Sequence, residues 1–238
     1  MKPIVVLRNE DMAPPGYLGD ALDRRGVDWR VVRLDAGDLL PEAEAVSGVA
    51  ILGGPMGAYD EEEFPFLIDE KRFLLECTDA AVPVLGICLG CQLLAEVLGG
   101  RAYLADRAEI VFAPIDATRD GQDDPVVAAL AGRSVIRYHQ DTFDVPPGGL
   151  LLATGGGFDQ AFRLGSALGL QPHPEVTPDL LSGWLGSGRG RQRAIDLGVD
   201  PDVVLADFSI AEAEVAAMAA GVFDAWIDEV LHSVGSQR

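Results

Sequence analysis

The chain is short of positive charge. It carries 38 aspartates and glutamates but only 18 lysines and arginines, and the lysines are Lys2 and Lys71 alone. A net charge of −20 leaves little to neutralise phosphates, so no nucleic-acid partner is expected. Docking on an anionic membrane is disfavoured for the same reason. Cysteine is scarce as well: three in 238 residues, an odd number, do not make a disulfide framework. Long apolar runs are missing. The most apolar window, 80–95, is broken by Pro83 and Gln92 and does not span a bilayer. The opening "MKPIVVLRNE" has too short an apolar run for a signal peptide and reads as a first strand. A cytoplasmic location is expected. No G-x-x-x-x-G-K-[ST] phosphate loop occurs, and neither a cofactor nor a metal is expected.

What is present is a core. Hydrophobic residues make up 48% of the chain, enough for a globular protein at this length. In the first half, "IVVLR" (4–8), "WRVVRL" (29–34), "GVAILGG" (48–54) and "VPVLGI" (82–87) are continuous apolar runs, as expected of strands buried on both faces. Between them, 16–26 and 65–81 have apolar residues at helical spacing. In the second of these Phe66, Phe73 and Cys77 share a face, and Asp69 and Glu70 sit in the first turn, where they suit the helix dipole. Such alternation predicts a parallel sheet with helices on both faces. From 101 to 172 short strands are expected near 108–115, 133–138, 150–154, 160–164 and 167–171, forming an antiparallel extension that returns to the main sheet. The remainder reads as helical. Thr177 caps a helix that begins at Pro178, and a second helix is expected to start at "SIAE", with Ser209 and Glu212 as a capping box. Val215, Met218, Val222 and Trp226 would form its core face. No linker or repeat is evident, so residues 1–238 read as one domain with C-terminal helices (177–231) packed on it.

The stretch "VPVLGICLGCQLLAEVLGG" (82–100) carries two motifs at once. Cys88 and Cys91 form a C-x-x-C pair; Gly86, Cys88 and Gly90 form G-x-C-x-G. Both place Cys88 where a strand runs into a helix, and helix-start amides favour a thiolate. The glycines favour a nucleophile elbow, whose turn is so tight that side chains two residues either side would collide. A redox pair has no such need. Cys91 would then pack against the sheet, and Cys77 would be core. A nucleophilic cysteine needs a base. Of three histidines, His232 lies near a polar tail, whereas His173 is followed two residues later by Glu175, and Pro172 and Pro174 favour an extended segment that puts both on one face. An oxyanion would find one donor in the Leu89 amide, and the chain at Gly53-Gly54-Pro55 is either a second source of donors or a plain turn.

Cys88 in "GICLGCQ", the later "HPE" and the intervening "GGP" together resemble the class I glutamine amidotransferases, most closely their stand-alone, GMP-synthase-like members, over roughly residues 45–180. The resemblance implies an α/β, flavodoxin-like, mostly parallel sheet with a small antiparallel extension, and a Cys88–His173–Glu175 triad. Glutamine would be attacked at its γ-carboxamide, with Gly54 and Leu89 amides holding the oxyanion and Gln92, His139, Gln140 and Asp141 gripping the glutamyl moiety. Two positions depart from the family pattern: Pro172 stands where an aromatic residue is usual, and "HQD" replaces "HGD". The resemblance further implies a separate synthetase as partner, because "TGGGFDQ" (154–160) lacks the closing serine of an ATP-pyrophosphatase loop. The other readings are a self-sufficient γ-glutamyl hydrolase, a catalytically inactive interaction subunit, or a thiol–disulfide oxidoreductase. The last predicts that Cys91 is essential.

Overall fold

The computed structural model describes residues 2–236. In chain order the elements are β1 (Ile4–Arg8), α1 (Tyr17–Arg24), β2 (Trp29–Arg33), β3 (Gly48–Ile51), α2 (Phe66–Asp79), β4 (Val84–Ile87), α3 (Leu89–Val97), β5 (Arg101–Pro114), β6 (Asp116–Ala117), α4 (Arg119–Asp123), α5 (Pro125–Leu130), β7 (Ser134–Asp144), β8 (Leu150–Gly155), β9 (Phe158–Leu164), β10 (Ala167–Leu170), α6 (Pro178–Leu185), α7 (Gly188–Asp196), α8 (Pro201–Ile210) and α9 (Glu212–Ser236).

The apolar runs are strands because both their faces are covered. In β1, Ile4 and Val6 belong to one core cluster and Val5 and Leu7 to the other, following the two-residue period of a strand. Helices α1, α5 and α9 cover the first face, where α9 buries Val215, Met218, Val222 and Trp226. Helices α2 and α3 cover the second. The main sheet has the order β2-β1-β3-β4-β10-β9-β8-β6. From β2 to β10 neighbouring strands are parallel; β9, β8 and β6 add on antiparallel. The chain passes from β1 outward to β2 and then back across to β3, so the doubly wound sheet opens a crevice at the carboxyl ends of its central strands.

The expected antiparallel extension divides in two. Strands β8 and β9 continue the main sheet, whereas β5 and β7 pair only with each other in a long ribbon. Strand β5 starts at Arg101, well before the expected position, because its half-exposed residues lack a continuous apolar run. Two short helices lie at 119–130, each opened by a side-chain cap: Thr118 accepts from the Gly121 amide, and Asp124 from Val126 and Val127 ahead of Pro125.

The C-terminal region needs a correction. Thr177 does cap α6, accepting from the Leu180 amide at 3.3 Å. The expected Ser209–Glu212 capping box does not exist, because Ser209 lies in the last turn of α8 and α9 begins at Glu212 after a one-residue break. The operative start signal is Asp200–Pro201, where the Asp200 carboxylate accepts from the Asp202 amide. Glu70 also differs from expectation. The first turn of α2 carries Asp69 alone, and Glu70, one residue on, lies fully buried.

Candidate active site

Strand β4 delivers Cys88 to the crevice in a sharp turn. Its backbone has φ 53° and ψ −105°, and apart from Ala81 it is the one non-glycine residue with positive φ among those described. The turn is pinned by the Cys88 amide donating to Leu170 O of β10 at 2.8 Å. Both flanking glycines are required by close approach. A β-carbon on Gly86 would lie 2.4 Å from Gly90 O, and one on Gly90 would lie 2.5 Å from Ile51 O of β3. Cys91, one turn into α3, is fully buried against β10 at Gly169, and burial raises its thiol well above the ordinary range. Cys77 is likewise core, its thiol pushed up to about 12 by burial.

Strand β10 ends beside the elbow and places His173 there. The His173 amide donates to Ile136 O of β7 at 2.8 Å. On the ring, Nδ1 meets Glu175 Oε1 at 2.8 Å, while Nε2 lies 3.4 Å from Tyr138 O, the same oxygen to which the Cys88 thiol donates at 3.9 Å. Burial works against a charged ring, but the Glu175 carboxylate and the Cys88 sulfur outweigh it and hold His173 well above its usual value. The pair does not arise from strand alternation as expected, because Pro174 and Glu175 form a turn. Helix α1 buttresses that turn. The Tyr17 amide donates to Glu175 O at 2.9 Å, and Gly16, at φ 49°, has no room for a side chain because its β-carbon would sit 2.1 Å from the same oxygen.

The other expected site residues converge on one cleft of about 730 Å³, lined by Gly54, Cys88, Gln92, His139, Gln140, Asp141 and His173 among others. Glu175 lies behind His173, and Leu89 is buried beneath the elbow. Gly54 approaches Leu89 so closely that a β-carbon on it would lie 2.9 Å from Leu89 Cδ2. Gln92 Nε2 donates to Asp141 O (3.0 Å) and to Gln171 Oε1 (3.2 Å). His139 has an acceptor at each nitrogen, Asp141 O at 3.0 Å and Glu109 Oε2 at 3.1 Å, so both ring nitrogens are engaged within the protein. Asp141 accepts from Tyr59 Oη at 3.1 Å; burial raises its carboxyl and pushes the Tyr59 phenol up to about 12. Gln140 is exposed and accepts from Arg193.

Several cleft residues carried no signal in the sequence. The Trp184 ring stands edge-on to His173, with centroids 5.1 Å apart, and its Nε1 donates to Met12 O at 2.7 Å. It supplies an aromatic neighbour to His173 from α6 rather than from position 172. Among the described residues no group of three or more His, Cys, Asp or Glu could hold a metal ion. No helix among them is long and apolar enough to cross a membrane.

The family model "Glutamine amidotransferase class-I" matches residues 17–182. A GMP synthase (glutamine-hydrolysing) of Thermomicrobium roseum is 39% identical over 132 residues, 54% of this chain but only 23% of that protein, so the chain spans about a quarter of its length. One subunit of the glutamine-hydrolysing GMP synthase of Haloarcula marismortui is 34% identical over 161 residues, covering 66% of this chain and 77% of the relative. Among solved structures, a glutamine amidotransferase of Thermotoga maritima superposes with a TM-score of 0.85 at 26% identity, covering 94% of this chain and 97% of the other.

Proposed function

The chain belongs to the class-I glutamine amidotransferase family, and from that premise we propose that it hydrolyses the γ-amide of L-glutamine through a thioester on Cys88, releasing ammonia for an acceptor on a separate synthetase. The observation that carries this reading is the His173 ring, with Glu175 at one nitrogen and, at the other, the Tyr138 carbonyl that the Cys88 thiol also meets. In the first step His173 takes the thiol proton as Cys88 Sγ adds to the carbonyl carbon of the side-chain amide, and the developing oxyanion is held by the Gly54 and Leu89 amides. Collapse breaks the C–N bond, and His173 returns its proton to the departing nitrogen. A water then adds to the thioester, losing a proton to His173, and glutamate leaves as the sulfur is reprotonated. Glu175 keeps Nδ1 protonated throughout and offsets the imidazolium charge. The glutamyl end lies against Gln92 and the 139–141 segment, with Asp141 facing the α-ammonium group. No step calls on a metal or cofactor.

The synthetase partner follows from what the chain resembles: the Haloarcula relative is itself one subunit of a glutamine-hydrolysing GMP synthase. Residues 1–238 act as one unit, with α6 to α9 as part of it. A second reading, a γ-glutamyl hydrolase working alone, is favoured by the size of the cleft, because about 730 Å³ is the scale of a drug-sized ligand rather than of one small amino acid. Glutamate release from L-glutamine and from γ-glutamyl dipeptides separates the two. Turnover of glutamine alone supports the ammonia-supplying reading, and strong turnover of a dipeptide with weak turnover of glutamine supports the hydrolase. Undiminished turnover in Cys88→Ser would sink both.

A further inference from the structure

Glu70 is the buried ionisable group that this chemistry leaves unused. It is fully buried on α2 between Leu67, Phe73 and Leu74, and one side chain reaches it: Asn9, the residue that follows β1, donates from Nδ2 to Glu70 Oε1 at 3.2 Å. Asn9 is itself only 1% exposed. Each member of the pair has one polar atom left without a partner, Asn9 Oδ1 and Glu70 Oε2. Oδ1 can only accept. Oε2 accepts if the carboxyl is ionised and donates if it carries a proton. A planar carboxylic acid and a planar carboxamide pair through two bonds, N–H to O=C one way and O–H to O=C the other. A proton on Oε2 therefore satisfies both orphaned atoms at once. Without it, two acceptors would face each other in a dry site, at the full cost of unpaired buried groups.

The pair sits under the oxyanion loop. A β-carbon on Gly54 would lie 3.6 Å from Asn9 Cβ, and the Leu52 amide just ahead of it donates to Leu7 O of β1 at 3.1 Å. Gly53 and Gly54 have no side chains with which to anchor themselves, so the direction of their amides depends on what packs against them. We propose that Glu70 is a positioning residue: as a neutral acid it closes a two-bond ring with Asn9, and that ring fixes the Gly53–Gly54 backbone in its oxyanion-binding orientation. The consequence for catalysis rests on the function proposed above.

The one opposing charge acting on Glu70 is already engaged elsewhere. The charged group facing Glu70 is Lys71 of its own helix, and that ammonium is held 2.6 Å from both Glu61 and Glu96 of α3. Asn9, just after β1, is its hydrogen-bond partner, and on its own helix Leu67, Phe73 and Leu74 are buried in an apolar cluster. Burial accordingly raises the Glu70 carboxyl to about 8, with the Asn9 bond and Lys71 only partly opposing. Ionisation above that pH opens the ring.

The test compares wild type, Glu70→Gln and Glu70→Leu. Glutamine has the shape of the neutral acid, with Oε1 accepting and Nε2 donating, but it does not titrate. Steady-state glutamate release is measured from pH 6 to 10, with thermal unfolding alongside. Glu70→Gln is expected to keep kcat at pH 7 and to lose the part of the alkaline decline that wild type shows above about pH 8. Glu70→Leu is expected to lose about 10- to 100-fold in kcat at every pH with little change in KM, short of the ~10²–10³ for deleting an oxyanion donor outright. Superimposable profiles for wild type and Glu70→Gln, or wild-type kcat in Glu70→Leu, overturn the proposal. Should Glu70→Leu fail to fold, infrared spectra still decide. A protonated-carboxyl band at pH 7 that is missing from Glu70→Gln supports the neutral acid, and its absence from wild type refutes it without reference to activity. Retained turnover in Cys88→Ser would instead count against the thioester reading and leave the acid–amide pair standing.

Discussion

Gly90→Ala is the most demanding check on how the elbow is built. The added methyl would lie 2.5 Å from Ile51 O, 2.7 Å from Ile51 Cβ and 2.9 Å from Ile51 Cγ2. Side-chain rotation cannot relieve this, because the nearest atom is backbone at the carboxyl end of the buried strand β3. Helix α3 must retreat from β3 by roughly 0.9 Å to bring the contact from 2.5 Å to 3.4 Å. That motion carries the Cys88 sulfur and the Leu89 amide away from Gly54, which is held on β3. A displacement near 1 Å costs about 10²-fold in rate, or ~2.7 kcal/mol of transition-state stabilisation. Overpacking adds about 1–3 kcal/mol of lost stability. The assay is kcat for glutamate release together with urea denaturation, with Gly221→Ala as the control. In α9 a β-carbon at that position meets Ala129 Cβ at an ordinary 3.4 Å. The control should gain about 0.5–1 kcal/mol from the better helix former and keep its kcat. A Gly90→Ala protein with wild-type kcat and wild-type stability would refute the account of the elbow given above.

Two further outcomes follow from the same geometry. Cys91→Ala removes a thiol buried beneath the sheet and should retain kcat within about threefold while losing about 1 kcal/mol in denaturant titrations; loss of all turnover would instead favour the C-x-x-C redox reading. Glu175→Gln should lower kcat by about 10²–10⁴-fold and take away the principal carboxylate that raises His173. Because that pKa is raised in the fold, its stabilisation is complete below the unfolded value near 6.5 and fades as pH climbs through the folded one. The stability gap between wild type and Glu175→Gln should therefore be wide at pH 6, about 3–5 kcal/mol for a broken buried pair, and narrower at alkaline pH. A gap that does not change with pH would contradict the His173 assignment.

The parts of this architecture legible in the sequence are those fixed by local chemistry. Strands β1, β3, β4 and β10 are buried on both sides and so read as unbroken apolar runs. Gly86 and Gly90 announce the elbow because no other residue fits there. Two kinds of feature were hidden. Where two local signals compete, as at Asp200–Pro201 and Ser209–Glu212, only packing decides, and Phe208 at 2% exposure shows α8 carried inward past the rival cap. Where a residue's meaning comes from a distant partner, nothing local marks it. Glu70 reads as a first-turn acid until Asn9, 61 residues away, is seen beside it, and Trp184 reads as ordinary helix until it is found bonded to Met12 O.

The insertion of β10 between β4 and β9 also sets a timetable. Leu170, whose carbonyl pins the Cys88 amide, is made more than 80 residues after the cysteine itself, and His173, the base proposed above, follows three residues later. A chain emerging from the ribosome thus carries its thiol through the synthesis of β5 to β9 with neither Leu170 to hold the turn nor His173 beside it. The centre of the parallel sheet closes and the proposed site becomes complete in the same event, so during biosynthesis the elbow and its histidine cannot come together before the central fold is in place.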